Sequence, residues 1–340
     1  MSADTTTSSR AGRAGFFASP PPAAALEIAR DRVSAVAVSE SGGSAQITGY
    51  AVEPLSPGII DSVLNGPNVL DQGRLVTVIQ SVLSKLGSRT RRMALVLPDT
   101  VAKVSLVRFE KVPAKVQDLE QLIRWQVRKT APFRIEDAQV AWAPGIALPG
   151  GGREFLVTVS RRDIVESYER ACDAAGLQAG IVDLATFNVV NSALSGAAEA
   201  AGDWLVVHVA YDYVTLAVVR GHDLIFFRNR STTEQAELTD LVHQTAMYHE
   251  DRLGGGGFSR VVLAGAWVHG PDSAEWLRRA IEERVGLRVE AVDFRSAAAM
   301  RDRIGANPAL LDVLAPAIGV LLRERPVRRP TAASVTGRVA

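Results

Sequence analysis

Trp204-Leu205-Val206-Val207-His208-Val209-Ala210 is an unbroken apolar run, and two more follow it at hairpin spacing: Val214–Val219, then Leu224–Phe227 after the turn Arg220-Gly221-His222-Asp223. Runs this short, β-branched and bounded by turn residues read as strands, here a three-strand meander. The same figure stands near the N-terminus, as Ala25–Ala29, Val33–Ser39 and Gln46–Val52. Each meander feeds a helical pattern. A figure used twice points to a duplicated α/β unit.

The remaining segments agree with that reading. A Pro/Gly loop, Glu53-Pro54-Leu55-Ser56-Pro57-Gly58, precedes a helix expected from about Asp71 to Leu86, whose apolar positions Leu75, Val78, Ile79, Val82, Leu83 and Leu86 share one face. Gly87 stops it. A strand follows at Met93–Leu97. The stretch from Val101 differs: an alternating strand to Phe109, a helix near Lys115–Lys129, a strand at Ala138–Trp142 and a loop from Gly145 to Gly152. It reads as a small inserted α+β subdomain over about 101–153, after which Phe155–Val159 is expected to resume the main sheet. A helix (Arg162–Ala175), a strand (Ala179–Asp183) and a helix (Ala185–Leu194) complete the first half. The second half continues with helix Glu234–Leu253, strand Arg260–Leu263, helix Ser273–Val285, strand Leu287–Val292 and a last helix near Leu311–Leu322. Alternating strands and helices indicate parallel sheets covered on both faces. The expected architecture is an α/β, duplicated actin-like (ribonuclease-H-like) fold, with domains at 24–200 and 201–324 and the last helix packing back on the first domain.

With 340 residues, two domains of ordinary size are expected. A hydrophobic fraction of 47% and a charged fraction of 22% are those of a globular chain. A formal charge of +1 offers no field to recruit nucleic acid or an anionic membrane. The single cysteine, Cys172, excludes a disulfide framework and sits in a helical pattern as a small apolar residue. No apolar run reaches the roughly 20 residues that span a bilayer, and the chain reads as cytoplasmic. Segments 1–23 and 325–340, poor in apolar periodicity, are expected to be disordered.

The two meander turns are where an actin-like fold grips nucleotide phosphates, with glycine for close approach and aspartate for water-bound Mg²⁺. The first turn reads Glu27-Ile28-Ala29-Arg30-Asp31-Arg32-Val33-Ser34. Glu27 keeps a carboxylate and Ala29 stands where glycine would serve; Arg30 and Arg32 either clamp a phosphate or form a solvated turn. At the second turn His208, Ala210, Tyr211, Asp212 and Tyr213 offer bulk and no glycine. Gly254-Gly255-Gly256-Gly257 follows a helix and precedes a strand, the reverse of a P-loop, and reads as a connector. Ala264-Gly265-Ala266-Trp267 keeps one glycine where an adenosine would lie. The five histidines, His208, His222, His243, His249 and His269, include no i, i+4 pair, and no metal site is expected. Ser231-Thr232-Thr233 before Glu234 reads as a helix start. On the helix of the insert, Leu119, Leu122, Ile123 and Val127 form the apolar stripe, while Arg124 and Trp125 lie partly off it. Trp125 is either a partner-binding anchor or core.

The ordered set Glu53-Pro54-Leu55-Ser56-Pro57-Gly58-Ile59-Ile60, Ala94-Leu95-Val96-Leu97-Pro98, Ile123-Arg124-Trp125-Gln126, Ala131-Pro132-Phe133, Ala174-Ala175-Gly176-Leu177 and Val182-Asp183 resembles the type IV pilus assembly protein PilM family over about residues 24–324. The resemblance implies an FtsA-like, actin-like fold and a cytoplasmic component at the inner face of the inner membrane, membrane-associated only through partners. It implies an adaptor whose groove between first subdomain and insert takes the short N-terminal tail of a PilN-like membrane protein, with Arg124, Trp125, Pro132 and Phe133 as candidate contacts. Contacts with the pilus assembly ATPases and bound ATP with Mg²⁺ are implied as well. Glu27 and Ala29 replace the family's Asp and Gly, Ser34 a common Lys, and His208 and Ala210 the second Asp and Gly. The nucleotide positions Glu27, Ala29, Arg30, Asp31, His208, Ala210, Asp212 and Gly265 are therefore expected to form a decayed site without hydrolysis. The alternative is an ATPase or kinase using Glu27 and Asp31 for Mg²⁺; a cytoskeletal filament is a further alternative.

Overall fold

The structure, a computed structural model, describes residues 22–41, 44–88, 90–195, 202–231, 235–300 and 307–323. The tail 325–340, the first part of the segment 1–23, and Thr232 to Glu234 of the expected helix start lie outside the described residues. Pro22 and Ala23 do not: the Ala23 carbonyl accepts the Val38 N–H at 2.8 Å, extending the first strand's ladder.

The first meander is β1 (Ala24–Ile28), β2 (Arg32–Ser41) and β3 (Ser44–Pro54). After α1 (Gln72–Leu86) comes β4 (Arg92–Leu97), parallel to β1, and later β8 (Gln178–Leu184), parallel to β4. The sheet order is β14-β3-β2-β1-β4-β8. The second meander, β9 (Asp203–Val209), β10 (Val214–Arg220) and β11 (Asp223–Arg230), repeats the plan with β12 (Arg260–Ala264) and β13 (Val289–Ala291) in the order β11-β10-β9-β12-β13. In both sheets strand one is antiparallel to strand two and parallel to strand four. The duplication is therefore one of hydrogen-bond topology, and the fold is actin-like.

Each half buries its sheet on two sides. Leu75, Ile79, Val82 and Leu86 of α1 join Ile164, Tyr168 and Ala171 of α3 (Arg162–Ala174) over one face of the first sheet. The α1 ends are set by sequence: the Asp71 side chain accepts the Arg74 N–H at 3.0 Å, and Gly87 takes φ +67°. Helices α5 (Gln235–Leu253) and α6 (Pro271–Val285) cover the outer face of the second sheet. Between the sheets lie α4 (Ala185–Ser195) and α7 (Pro308–Leu322). They pack so closely that a Cβ on Gly319 would sit 1.8 Å from the Asn188 carbonyl oxygen. All residues of α7 from Leu311 to Leu322 are buried except Val313, which is half-buried; this apolar helix packs on β1, β2 and β4.

The insert contains β5 (Ala102–Phe109), α2 (Val116–Arg128), β6 (Ala138–Ala147) and β7 (Arg153–Arg161) in the order β5-β7-β6. Two expectations change here. The strand at Phe155–Val159 does not resume the main sheet; it is the central strand of the insert, so the boundary near 153 moves to about 161. Alternation misled because both sheets want the same pattern, and only pairing with β5 and β6 places it. The loop expected from Gly145 begins later, since β6 bulges past Pro144 and pairs again at Ala147. A three-residue strand, β14 (Ala298–Met300), had no readable signal and pairs with β3.

Candidate functional site

Seven of the eight nucleotide-site candidates meet where the hairpins β1–β2 and β9–β10 face each other. Glu27, Ala29, Arg30, Asp31, His208, Ala210 and Asp212 line one cavity together with Arg32, Pro98, Tyr211 and Tyr213. That cavity holds about 10 Å³, room for about one water molecule. A phosphate group does not fit it as it stands.

Three arrangements close it. Arg30 Nη1 donates to Asp212 Oδ2 at 2.9 Å across the two halves, Ser62 Oγ donates to the same oxygen at 3.2 Å, and Arg30 Nη2 lies 3.4 Å from Asp61. Arg30 thus occupies its charge on the protein's own carboxylates. Glu27, 3% exposed, accepts from Ser34 Oγ at 2.9 Å and from Arg32 at 3.2 Å. Burial pushes its carboxyl above the usual range, opposed by Arg32 and Ser34. Its two oxygens accept from Arg32 and Ser34. Lastly, the turn amides close on their own hairpins: Ala29 N–H donates to Arg32 O and Ala210 N–H to Tyr213 O, both at 2.9 Å. Arg30 and Arg32, expected either to clamp a phosphate or to form a solvated turn, both pair with the protein's own carboxylates.

Beneath the turns lies a buried polar network that sequence reasoning missed. Asp99, fully buried just after β4, accepts the Thr186 N–H at 3.0 Å, the Thr186 hydroxyl through a short bond, and the Thr215 hydroxyl at 2.6 Å. His208 Nδ1 lies 2.7 Å from Thr186 Oγ1. Thr186 has one proton and gives it to Asp99, so His208 donates from Nδ1 while neutral. Burial, with Arg32 adding to it, lowers His208 to about 3; the 4.0 Å approach of His208 to Asp99 is thus no ion pair. Burial also raises Asp99 to about 6 against its hydrogen bonds. Tyr213 OH accepts the Asp99 N–H at 3.2 Å, and Asn229 donates to Thr215 at 2.8 Å. Asp99 and Thr186 belong to the first half, His208, Tyr213, Thr215 and Asn229 to the second. The only sequence cue was Pro98-Asp99 ending a strand.

Gly265, the eighth candidate, does not line this cavity. It turns β12 at φ +75°, and a Cβ there would meet the Val209 carbonyl oxygen at 2.1 Å. On the insert, Trp125 is 56% exposed with Lys129 Nζ 3.9 Å from its ring centre, so it is not core. Arg124 pairs with Glu120 at 3.2 Å, Pro132 is exposed, and Phe133 packs partly buried on the insert's core.

The sequence profile of the type IV pilus assembly protein PilM family matches residues 25–251. The chain belongs to the PilM family. Its role is accordingly in type IV pilus assembly. The chain is similar to a solved PilM-PilN type IV pilus biogenesis complex, at 20% identity and a TM-score of 0.74, covering 90% of this chain and 99% of that one. It is also similar to a Bacteroides thetaiotaomicron protein with actin-like ATPase fold and unknown function, at 9% identity and TM-score 0.48 over 79% and 89% of the two chains. The ethanolamine utilization protein EutJ from Carboxydothermus hydrogenoformans matches at 12% identity and TM-score 0.48, over 89% and 90%. Among the described residues, this PilM-family chain has no helix long and apolar enough to cross a membrane.

Proposed function

We propose that this chain is a cytoplasmic, non-enzymatic adaptor of the pilus assembly platform at the inner face of the inner membrane. It captures the short tail of a PilN-like membrane protein and links it to the assembly motor. The observation carrying this reading is the cavity of about 10 Å³ where nucleotide phosphates would lie, bridged by Arg30 and Asp212. An internal cation joining two carboxylates takes the part a metal-bound phosphate plays in holding an actin-like cleft together. Closure then needs no ligand, and the fold works as a shaped support.

Membership of the PilM family and the likeness, over almost the whole chain, to a protein solved as a PilM-PilN complex support the tail as ligand. The exposed Trp125, with Arg124 beside it on α2, is the kind of aromatic anchor that a short peptide engages. The test is fluorescence anisotropy with a labelled tail peptide of the PilN-like protein. Saturable binding, equal with and without Mg-ATP, is expected. Binding that appears only with nucleotide contradicts the reading.

A further inference from the structure

The loop 59–70, between β3 and α1, touches both the closed cleft and the base of the insert. It is braced from within. Ile59 O accepts the Leu70 N–H and Asn68 O the Asp61 N–H, both at 2.9 Å, and Ile60 pairs with Val69. Asn68, 1% exposed, fills the middle. Its Nδ2 donates to Val63 O at 2.8 Å and to Gly66 O at 3.2 Å, and its Oδ1 accepts the Val63 N–H at 3.3 Å. Ile59 and Ile60 anchor the loop in the core of the first half. A compact loop whose ends meet and whose centre is bonded to itself moves as one piece.

That piece is held from outside on two sides. On the cleft side Ser62 Oγ donates to Asp212 Oδ2 of the second half at 3.2 Å, and Asp61 lies 3.4 Å from Arg30, which itself holds Asp212 at 2.9 Å. On the insert side Asn65 Oδ1 accepts from Arg161 Nη1 at 2.6 Å. Arg161 ends β7 and stands in register with Ala138, the first residue of the strand that follows the Pro132-Phe133 loop. Beneath, Tyr168 OH of α3 donates to Asn68 Oδ1 at 3.2 Å. Asp212 of the second half and Arg161 of the insert therefore grip the same braced loop.

We propose that the loop 59–70 is a coupling element: the hold of Asp212 on Arg30 and Ser62 across the cleft fixes the orientation of the insert, through Asn65 and Arg161, and so sets the affinity of the groove for the membrane protein's tail. This rests on the tail-binding reading given above. The two states are the loop tied to Asp212 and the loop released from it. Coupling between sites requires such an element, one whose equilibrium both sites bias. Asp212 is thus a positioning residue for a groove it does not touch.

The test uses the full chain, with hydrogen exchange read by mass spectrometry in the absence of ligand and anisotropy of the labelled tail peptide. Both are run at a temperature where circular dichroism shows every variant folded. Asp212→Ala should speed exchange in 59–70 and in the segment around Arg161, and should weaken tail binding roughly fivefold, the lower end of common couplings. Asp212→Glu keeps an acceptor and should restore both. Asn65→Ala should weaken the tail by a similar factor, and the double variant by no more than either alone, because both cut one path. Faster exchange confined to 208–213, unchanged tail affinity in Asp212→Ala, or fully additive losses in the double variant overturns the coupling. A native chain that binds no tail contradicts the tail reading instead, and the exchange measurement then decides whether the loop joins cleft and insert.

Discussion

At the scale of single residues, the closed cleft depends on groups whose charges and hydrogen bonds are met within the protein. Asp212, mostly buried, is the shared acceptor of Arg30 and Ser62. Among the described residues, Asp212→Ala leaves Arg30 with Asp61 as its one ion-pair partner and should lower unfolding free energy by about 1–2 kcal/mol, more than an exposed ion pair and less than a fully buried one; denaturant titration reads it. His208 titrates at about 3 when folded, below its ordinary 6.5. As pH falls through 6.5 the unfolded chain takes up a proton that the folded chain refuses, so stability is lost between about 6.5 and 3. Asp99 and Asp312, both raised to about 6, act in the opposite sense: their contribution is complete below about 3.8 and is lost as pH rises through 6. His208→Asn should therefore flatten the loss of stability from pH 6.5 to 4 relative to the native chain, in denaturant midpoints measured at each pH. An unchanged slope contradicts a buried neutral imidazole. Gly265→Ala combines a positive φ with a Cβ 2.1 Å from a carbonyl oxygen and should cost about 3 kcal/mol.

Elements were legible where a helix has one buried stripe or a strand a long apolar run. The α1 helix, its Asp71 start and its Gly87 stop could be read because capping chemistry is local. The role of β7 could not, since a strand's partner is decided by pairing far along the chain. The tetraglycine connector gains a reason only in three dimensions. A Cβ on Gly255 would fall 1.9 Å from the His249 ring, which stacks on Phe258 and bonds Asp203 at 2.7 Å. On α2, Leu119, Ile123 and Val127 are buried as the spacing predicts, and Trp125 stands outside that stripe. Trp125→Ala should then change unfolding free energy by less than about 0.5 kcal/mol, while weakening tail-peptide binding severalfold. A large drop in stability would return Trp125 to a structural role.

For the molecule as a whole, the two meanders announced the duplication, and seven of the eight suspected site positions do converge. The sequence showed what the turns lack. It could not show what fills them, because Arg30 and Asp212 lie 182 positions apart and meet only when the halves close. The Asp99 network was hidden for the same reason: Thr186 and Thr215 look like ordinary helix and strand residues until Asp99 is placed between them. Family membership supplies the setting, and in the proposed reading the pairing of Arg30 with Asp212 lets an actin-like chain hold its form without a nucleotide. Calorimetric titration of the full chain with Mg-ATP tests that most directly. No saturable heat up to millimolar nucleotide is the result expected of a cleft closed by Arg30 and Asp212. Stoichiometric binding at micromolar strength would contradict it.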